Sequence, residues 1–249
     1  MASQTGILGL QGTVGGLVFA KDGSVRQKPA SNKAAFNSAA SLARTRENAS
    51  EFGRAAGAGK LLRDSLRVLI ASASDSRMVS RLTQKMRGII GMDDANDRGA
   101  RVVDRDNAKD ELLGFNFNLG AGIGQSLFFQ YAIAGNGADV TLTVPRLNPA
   151  TDIVAPQGAT HFEVLYGVSA VNFELGTYQV ATVAAPLGVL ALNSAALQNR
   201  AVTATLATAP GADDLVVGAV GINFYQQLNG KFYPLNNNST NPLAVEYVA

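Results

Sequence analysis

Two hydrophobic periods divide this chain. Between residues 31 and 92 apolar side chains recur near every 3.6 positions, at Phe52, Leu61, Leu62, Leu66, Leu69 and Ile70. That spacing predicts helix, with arginines and lysines on the remaining positions. Residues 72–76 interrupt it, and Asp75 or Ser76 is placed to cap a second helix over 77–90. Met78, Val79, Leu82, Met86 and Ile89 would form its apolar face, and Gly91 suits its end. Gly53, Gly57 and Gly59 each weaken the first helix by roughly 1 kcal/mol relative to Ala, so they are expected to serve close helix packing. From residue 113 the period shortens to that of strands. Candidates are 113–119, 125–134, 138–145, 160–172, 177–185, 201–209, 215–227, 231–235 and 243–248, separated by turn residues such as Gly135-Asn136-Gly137 and Asn229-Gly230. The last of these turns predicts a type I′ hairpin.

Residues 7–28 read as a β-hairpin, with 13–20 as one arm, Asp22-Gly23 as the turn and 24–28 as the second arm before Pro29. A lone hairpin is marginal in water, so this one should add to a sheet of its own subunit or of a neighbour. The expected fold is α+β: an N-terminal β-hairpin arm (1–29), a helical region with an Asp-rich linker (30–112) and a C-terminal antiparallel β-sandwich of immunoglobulin or fibronectin-like form (113–249).

Charge changes this picture. An ordinary domain is roughly 25% charged, yet residues 113–249 hold three basic and seven acidic side chains. A surface this neutral stays soluble best when a neighbour covers it. Residues 1–92 hold 14 basic and five acidic side chains, a balance that suits either head-to-tail attraction between subunits or a separate partner for each half within one subunit. There is no cysteine, which excludes disulfides and thiolate sites. No signal peptide or membrane-spanning run is expected, so the expectation is cytoplasmic synthesis, with assembly into a virion or exported particle, and no membrane insertion.

Candidate chemistry is thin. The segment Gly53 to Leu62 echoes a phosphate-binding loop, but Leu61 stands where Ser or Thr would hold magnesium and Arg54 where the first glycine belongs. Asp94 to Gly99 opens like a calcium loop, but Arg98 and Arg105 occupy ligand positions. An irregular calcium site from Asp93, Asp94, Asp97, Asp104 or Asp106 is the remaining metal alternative, and a solvated linker the simpler reading. His161 is the sole histidine, without a Gly-x-Ser-x-Gly elbow to complete a triad. No enzyme activity and no cofactor are expected. The basic helices (Arg44, Arg46, Arg54, Arg63, Arg67, Arg77, Arg81, Lys85, Arg87) lack the interleaved aromatics of a nucleic-acid reader, and a solvated or interfacial face is expected instead.

The segment Leu10-Gln11-Gly12-Thr13-Val14-Gly15-Gly16-Leu17-Val18-Phe19, then Val25-Arg26-Gln27-Lys28-Pro29, precedes an Arg-rich helix containing Ala43-Arg44-Thr45-Arg46. With the C-terminal Asn229-Gly230-Lys231-Phe232-Tyr233, this pattern resembles uncharacterised bacterial and phage-like structural proteins. The resemblance implies a virion component or filament subunit and carries no catalytic residue. The expected function is thus a self-assembling structural subunit whose partners are copies of itself and the components of a larger particle. It would be joined by strand addition of the N-terminal arm, with Val14, Leu17, Phe19, Val25, Arg26, Arg44 and Arg46 at the interface. The alternative is a particle-attached sandwich that binds carbohydrate or protein, for which Tyr166, Tyr178, Tyr225 and Tyr233 are the available aromatics.

Overall fold

A computed structural model describes residues 2–3, 9–28, 33–235 and 239–249 of the chain. The chain divides into two compact units, 1–46 and 47–249.

The first unit is a small antiparallel sheet followed by helix. Its strands are β1 (Ala2–Ser3), β2 (Gly12–Val14), β3 (Leu17–Phe19) and β4 (Ser24–Gln27), in spatial order β1-β4-β3-β2. The single arm expected over 13–20 is therefore two strands. Gly15 and Gly16 both take positive φ, 55° and 84°, as both central residues of a type I′ turn must, and they fold the arm back on itself. The Asp22 turn forms as expected. Gly23 N–H donates to the Ala20 carbonyl at 3.0 Å, and Asp22 Oδ1 accepts from Ser24 N–H at 2.9 Å. The expected hairpin residues at 7 and 8 lie outside the described residues. Beyond the sheet come α1 (Lys33–Ser38) and the first turn of α2 (Ala43–Ser65).

In the second unit, α2 buries Glu51, Ala55, Gly59, Leu62 and Ser65, a stripe at spacings of three and four. Phe52, expected on the apolar face, is 58% exposed because it sits one position off that stripe. α3 (Arg67–Ile70), α4 (Met78–Gly91) and α5 (Arg105–Leu112) follow. Of the three α2 glycines, only Gly59 meets a neighbour: a β-carbon there would lie 3.6 Å from Leu82 Cγ on α4. α4 matches the expected helix and buries Met78, Leu82, Met86, Ile89 and Ile90, leaving Val79 exposed. α5 was not expected. Only Ala108 and Leu112 of it are buried, too little to write a period, although Asp104 caps it by accepting from Asn107 N–H at 3.0 Å.

The remainder is strand-rich and antiparallel, with short helices α6 (Ile123–Ser126) and α7 (Pro149–Asp152). β5 (Ala132–Asn136) and β6 (Asp139–Leu147) join β10 (Leu197–Thr205) in a three-stranded sheet, order β10-β6-β5. β7 (His161–Asn172) and β11 (Leu215–Leu228) form the axis of the larger sheet, pairing from Leu215 opposite Val171 to Tyr225 opposite His161. On β7 lie β8 (Thr177–Val183) and β9 (Val189–Ala191); on β11 lie β12 (Lys231–Pro234) and β13 (Leu243–Val248). Asn229 and Gly230 take φ of 50° and 77°, as the expected type I′ turn requires. The 113–119 strand is absent. Those residues run beside β13 through single backbone bonds, such as Phe117 N–H to the Leu243 carbonyl at 2.8 Å.

Both faces of the large sheet are covered. Val164, Tyr166, Val168, Val220, Ile222 and Phe224 pack against Val140, Leu142 and Val144 of the small sheet. Val171, Leu215, Val217, Ala219 and Val245 pack against Leu62, Leu66, Leu69, Leu82, Met86 and Ile90 of the helices. The sequence signature of double burial is the unbroken run from Leu215 to Phe224, in which every residue is buried. Each fully buried aliphatic side chain here contributes roughly 1.5–3 kcal/mol.

Candidate assembly surface

The N-terminal sheet collects four of the expected interface residues on one face. Val14 is opposite Leu17, and Phe19 is opposite Val25. Alternation along β3 puts Leu17 and Phe19 on the same side, so Val14, Leu17, Phe19 and Val25 form a single apolar patch. Arg26 pairs with Val18 and points from the opposite face. No described residue of 1–46 is buried, and Val14 is 69% exposed. The sheet thus presents apolar side chains without a core to receive them. Its outer strands, β1 and β2, each pair on one side only among the described residues. Within the chain a β-carbon at Gly15 or Gly16 would meet nothing within 4 Å; the turn, rather than close approach, requires glycine there.

The two helical arginines of the set differ. Arg46 Nη1 donates to the Phe36 and Ala39 carbonyls at 2.7 and 2.8 Å, and so ties the end of α1 to α2. Arg44 is exposed. Several other basic helix residues also have partners within the chain. Arg81 donates to Asp75 Oδ2 at 2.5 Å and to the Asn116 carbonyl at 2.7 Å, and covers the Phe115 ring. Lys85 pairs with Glu111, and Arg87 with the buried Glu51 at 2.7 Å. Arg54 donates to the Arg101 and Gly99 carbonyls. The exposed positive charge is therefore smaller than the sequence count suggests.

The Asp-rich connection is an ordered loop. Asp93 is buried, and its two carboxylate oxygens accept from Ala95 N–H, Asn96 N–H, the Asn96 amide and Val102 N–H at 2.9–3.1 Å. These donors, the Val102 N–H foremost and against the opposing effect of burial, hold its carboxyl below the usual range. A carboxylate saturated by N–H donors has no lone pair directed at a cation. Among the described residues, no three acidic or histidine side chains gather as a metal site would need. The loop is anchored on α2 by Glu51, which accepts from Gly99 N–H at 2.8 Å, and by Glu47, which pairs with Arg98.

His161 begins β7, with Nδ1 2.9 Å from Thr160 Oγ1 and its ring edge-on to Phe232. It lines a hollow of about 530 Å³ with Thr160, Ala191, Leu192, Asn193 and Gln227, none of them an acid. The four tyrosines do not form a common surface. Tyr166 is fully buried, donating to the Val140 carbonyl at 2.9 Å, and Tyr225 donates to Glu163 at 2.7 Å. Burial, reinforced by Glu163, pushes the Tyr225 hydroxyl up to about 12. Only Tyr178 and Tyr233 are exposed. A larger cleft of about 800 Å³ opens between α2, the 96–105 loop and the β7–β8 turn, with Ala58, Leu61, Val103 and Phe173 inside.

No known family, curated protein or solved structure matches this chain. The surfaces are therefore read on their own chemistry. No helix among the described residues is long and apolar enough to cross a membrane. What sets the N-terminal sheet apart, among the described residues, is the combination of a shared apolar face, outer strands that each pair on one side only, and no buried residue in 1–46.

Proposed function

We propose that this chain is a self-assembling structural subunit of a filament, tube or virion-like particle, joined by strand addition through its N-terminal sheet. The observation that carries this is that residues 1–46 bury none of their described side chains yet hold Val14, Leu17, Phe19 and Val25 on one face. An isolated sheet of such short strands is marginal in water, and open strand edges recruit further strands. The second unit would be the body of the subunit, its paired sheets acting as a sandwich of the immunoglobulin or fibronectin kind. The poverty of charge in 113–249 supports extensive contact between copies. Arg26 and Arg44 would lie at the rim. Light scattering at micromolar concentration, followed by negative-stain microscopy, tests this. The expected result is a species of many subunits with a regular repeat; a sharp monomer peak would refute it.

A further inference from the structure

We infer that the edge of β8 is the acceptor for the N-terminal sheet of a second copy, with β2 adding antiparallel to it. The inference rests on the proposed assembly and names its other half. β8 is an outer strand: among the described residues it pairs only with β7. Its seven residues, Thr177-Tyr178-Gln179-Val180-Ala181-Thr182-Val183, contain no charge, proline or glycine. Soluble proteins blunt such edges with lysine, proline, bulges or a covering segment; β8 carries no lysine, proline or bulge, and the chain around the end of β10 lies beside it. Bonds from that chain to β8 run through the side chain of Gln179. Gln179 Nε2 donates to the Thr208 carbonyl, and its Oε1 accepts from Thr208 N–H, both at 3.0 Å. Ala181 and Val183 pack towards the core, while Tyr178 and Val180 are 45% and 43% exposed on the other face. An added strand would therefore find the side of β8 that has no ladder partner among the described residues, with the exposed Tyr178 and Val180 beside it.

Charge selects the partner and its direction. Residues 1–46 hold six basic side chains and one acidic one, whereas residues 47–249 hold 15 basic and 18 acidic. At the start of β8, Glu174 and Asp213 line the cleft with Asp104, against Arg54 and Arg105, and Asp214 is bonded to Asn172 at the same end. The far end, Ala184-Ala185-Pro186, is uncharged. In the N-terminal sheet Lys28 N–H donates to the Gly16 carbonyl, so Lys28 lies at the Val14 end of β2. Antiparallel addition sets Val14 and Lys28 against the acidic start of β8. Parallel addition would set them against the uncharged end. Because donor and acceptor are different surfaces, each copy can receive one neighbour and enter another, the geometry of an open polymer.

The chain contains no cysteine, which makes the test direct. Full-length Val14→Cys and Tyr178→Cys chains are prepared separately, mixed, and treated with a short bismaleimide. A covalent dimer formed in the mixture, and in neither variant alone, is the expected result. In parallel, Tyr178→Lys with Val180→Lys should lower the assembled fraction at least about tenfold, equivalent to about 1.4 kcal/mol, while circular dichroism stays that of the parent. If the parent chain is itself monomeric, the assembly reading fails and this inference with it. If the parent assembles while the mixture gives no cross-link and the lysine variant assembles equally well, the acceptor lies elsewhere and only this inference fails. A chain carrying both cysteines that cross-links solely within itself would overturn the second copy as occupant.

Discussion

Glu51 shows how one side chain organises the helical layer. It is 1% exposed, yet it carries a carboxylate that faces Arg87 at 2.7 Å and the Gly99 N–H at 2.8 Å. Removing one partner of a buried pair leaves the other uncompensated. Glu51→Ala should cost roughly 3 kcal/mol, the low end of the range for such breaks, because the Arg87 side chain is a third exposed and stays partly hydrated. Glu51→Gln should recover part of this, since it can still accept from Gly99; urea unfolding of both variants measures the difference. Asp93 makes a related prediction for pH. Its donors, led by Val102 N–H, hold its folded-state carboxyl below the unfolded value. Asp152 is lowered by Asn148 N–H, and Asp75 by the donors of Leu119, Arg77 and Arg81, which outweigh its burial. A lowered folded-state value means stabilisation that is complete above the ordinary carboxylate value of about 4 and lost as pH falls through the lower one. The urea midpoint should therefore hold steady down to about pH 5 and drop below it, and Asp93→Asn should make that drop shallower. An unaltered pH profile in the variant would show that Asp93 does not anchor the loop.

At the level of elements, the seam between β11 and β13 is closely packed backbone against backbone. A β-carbon on Gly221 would lie 2.5 Å from the Pro242 carbonyl oxygen and 2.9 Å from Leu243 Cδ1. Gly221→Ala must displace β13, whose Leu243, Ala244 and Val245 are buried, at a cost of about 2 kcal/mol. Gly124→Ala, where nothing lies within 4 Å, should be neutral or slightly stabilising. Comparing the two urea midpoints separates crowding from a general effect of adding a methyl group. What the chain discloses about its elements follows the same logic of burial. β7, β8, β11, β12 and β13 are legible because each carries a strand-length apolar run between turn residues. α5 is not, because two buried residues write no period. Residues 113–119 mislead because Phe115 and Phe117 alternate like a strand while their backbone bonds to β13 only in places. The first arm reads as one strand because Gly15-Gly16 sits between two apolar stretches that merge by eye; two adjacent glycines are the signal that would have divided it. Of the proposed interface, Val14, Leu17, Phe19 and Val25 can be picked from sequence as anchors. Their common face cannot, because it depends on that missed turn.

For the whole molecule, the decisive fact is where the cores begin. Among the described residues, every buried apolar residue lies at Ala55 or later, nearly all of them in two clusters on either side of the large sheet. The described residues of 1–46 contribute none. Under the proposed assembly, a segment whose described residues add nothing to the core, yet which orders β1 to β4 into a sheet with an apolar face, is stabilised by contacts with a neighbouring copy. Deleting residues 1–29 should therefore leave the unfolding midpoint of the remainder nearly unchanged, within about 0.5 kcal/mol. The same deletion should abolish the large species. Placing Pro at Val18, inside the β3 ladder, should act in the same direction by removing a donor and breaking the sheet. Circular dichroism paired with sedimentation reads both effects on one sample. A truncated chain that unfolds or precipitates would mean that the sheet completes its own subunit. One that polymerises as before would make the sheet peripheral, and would leave the charge-poor strands of 113–249 to hold the copies together by themselves.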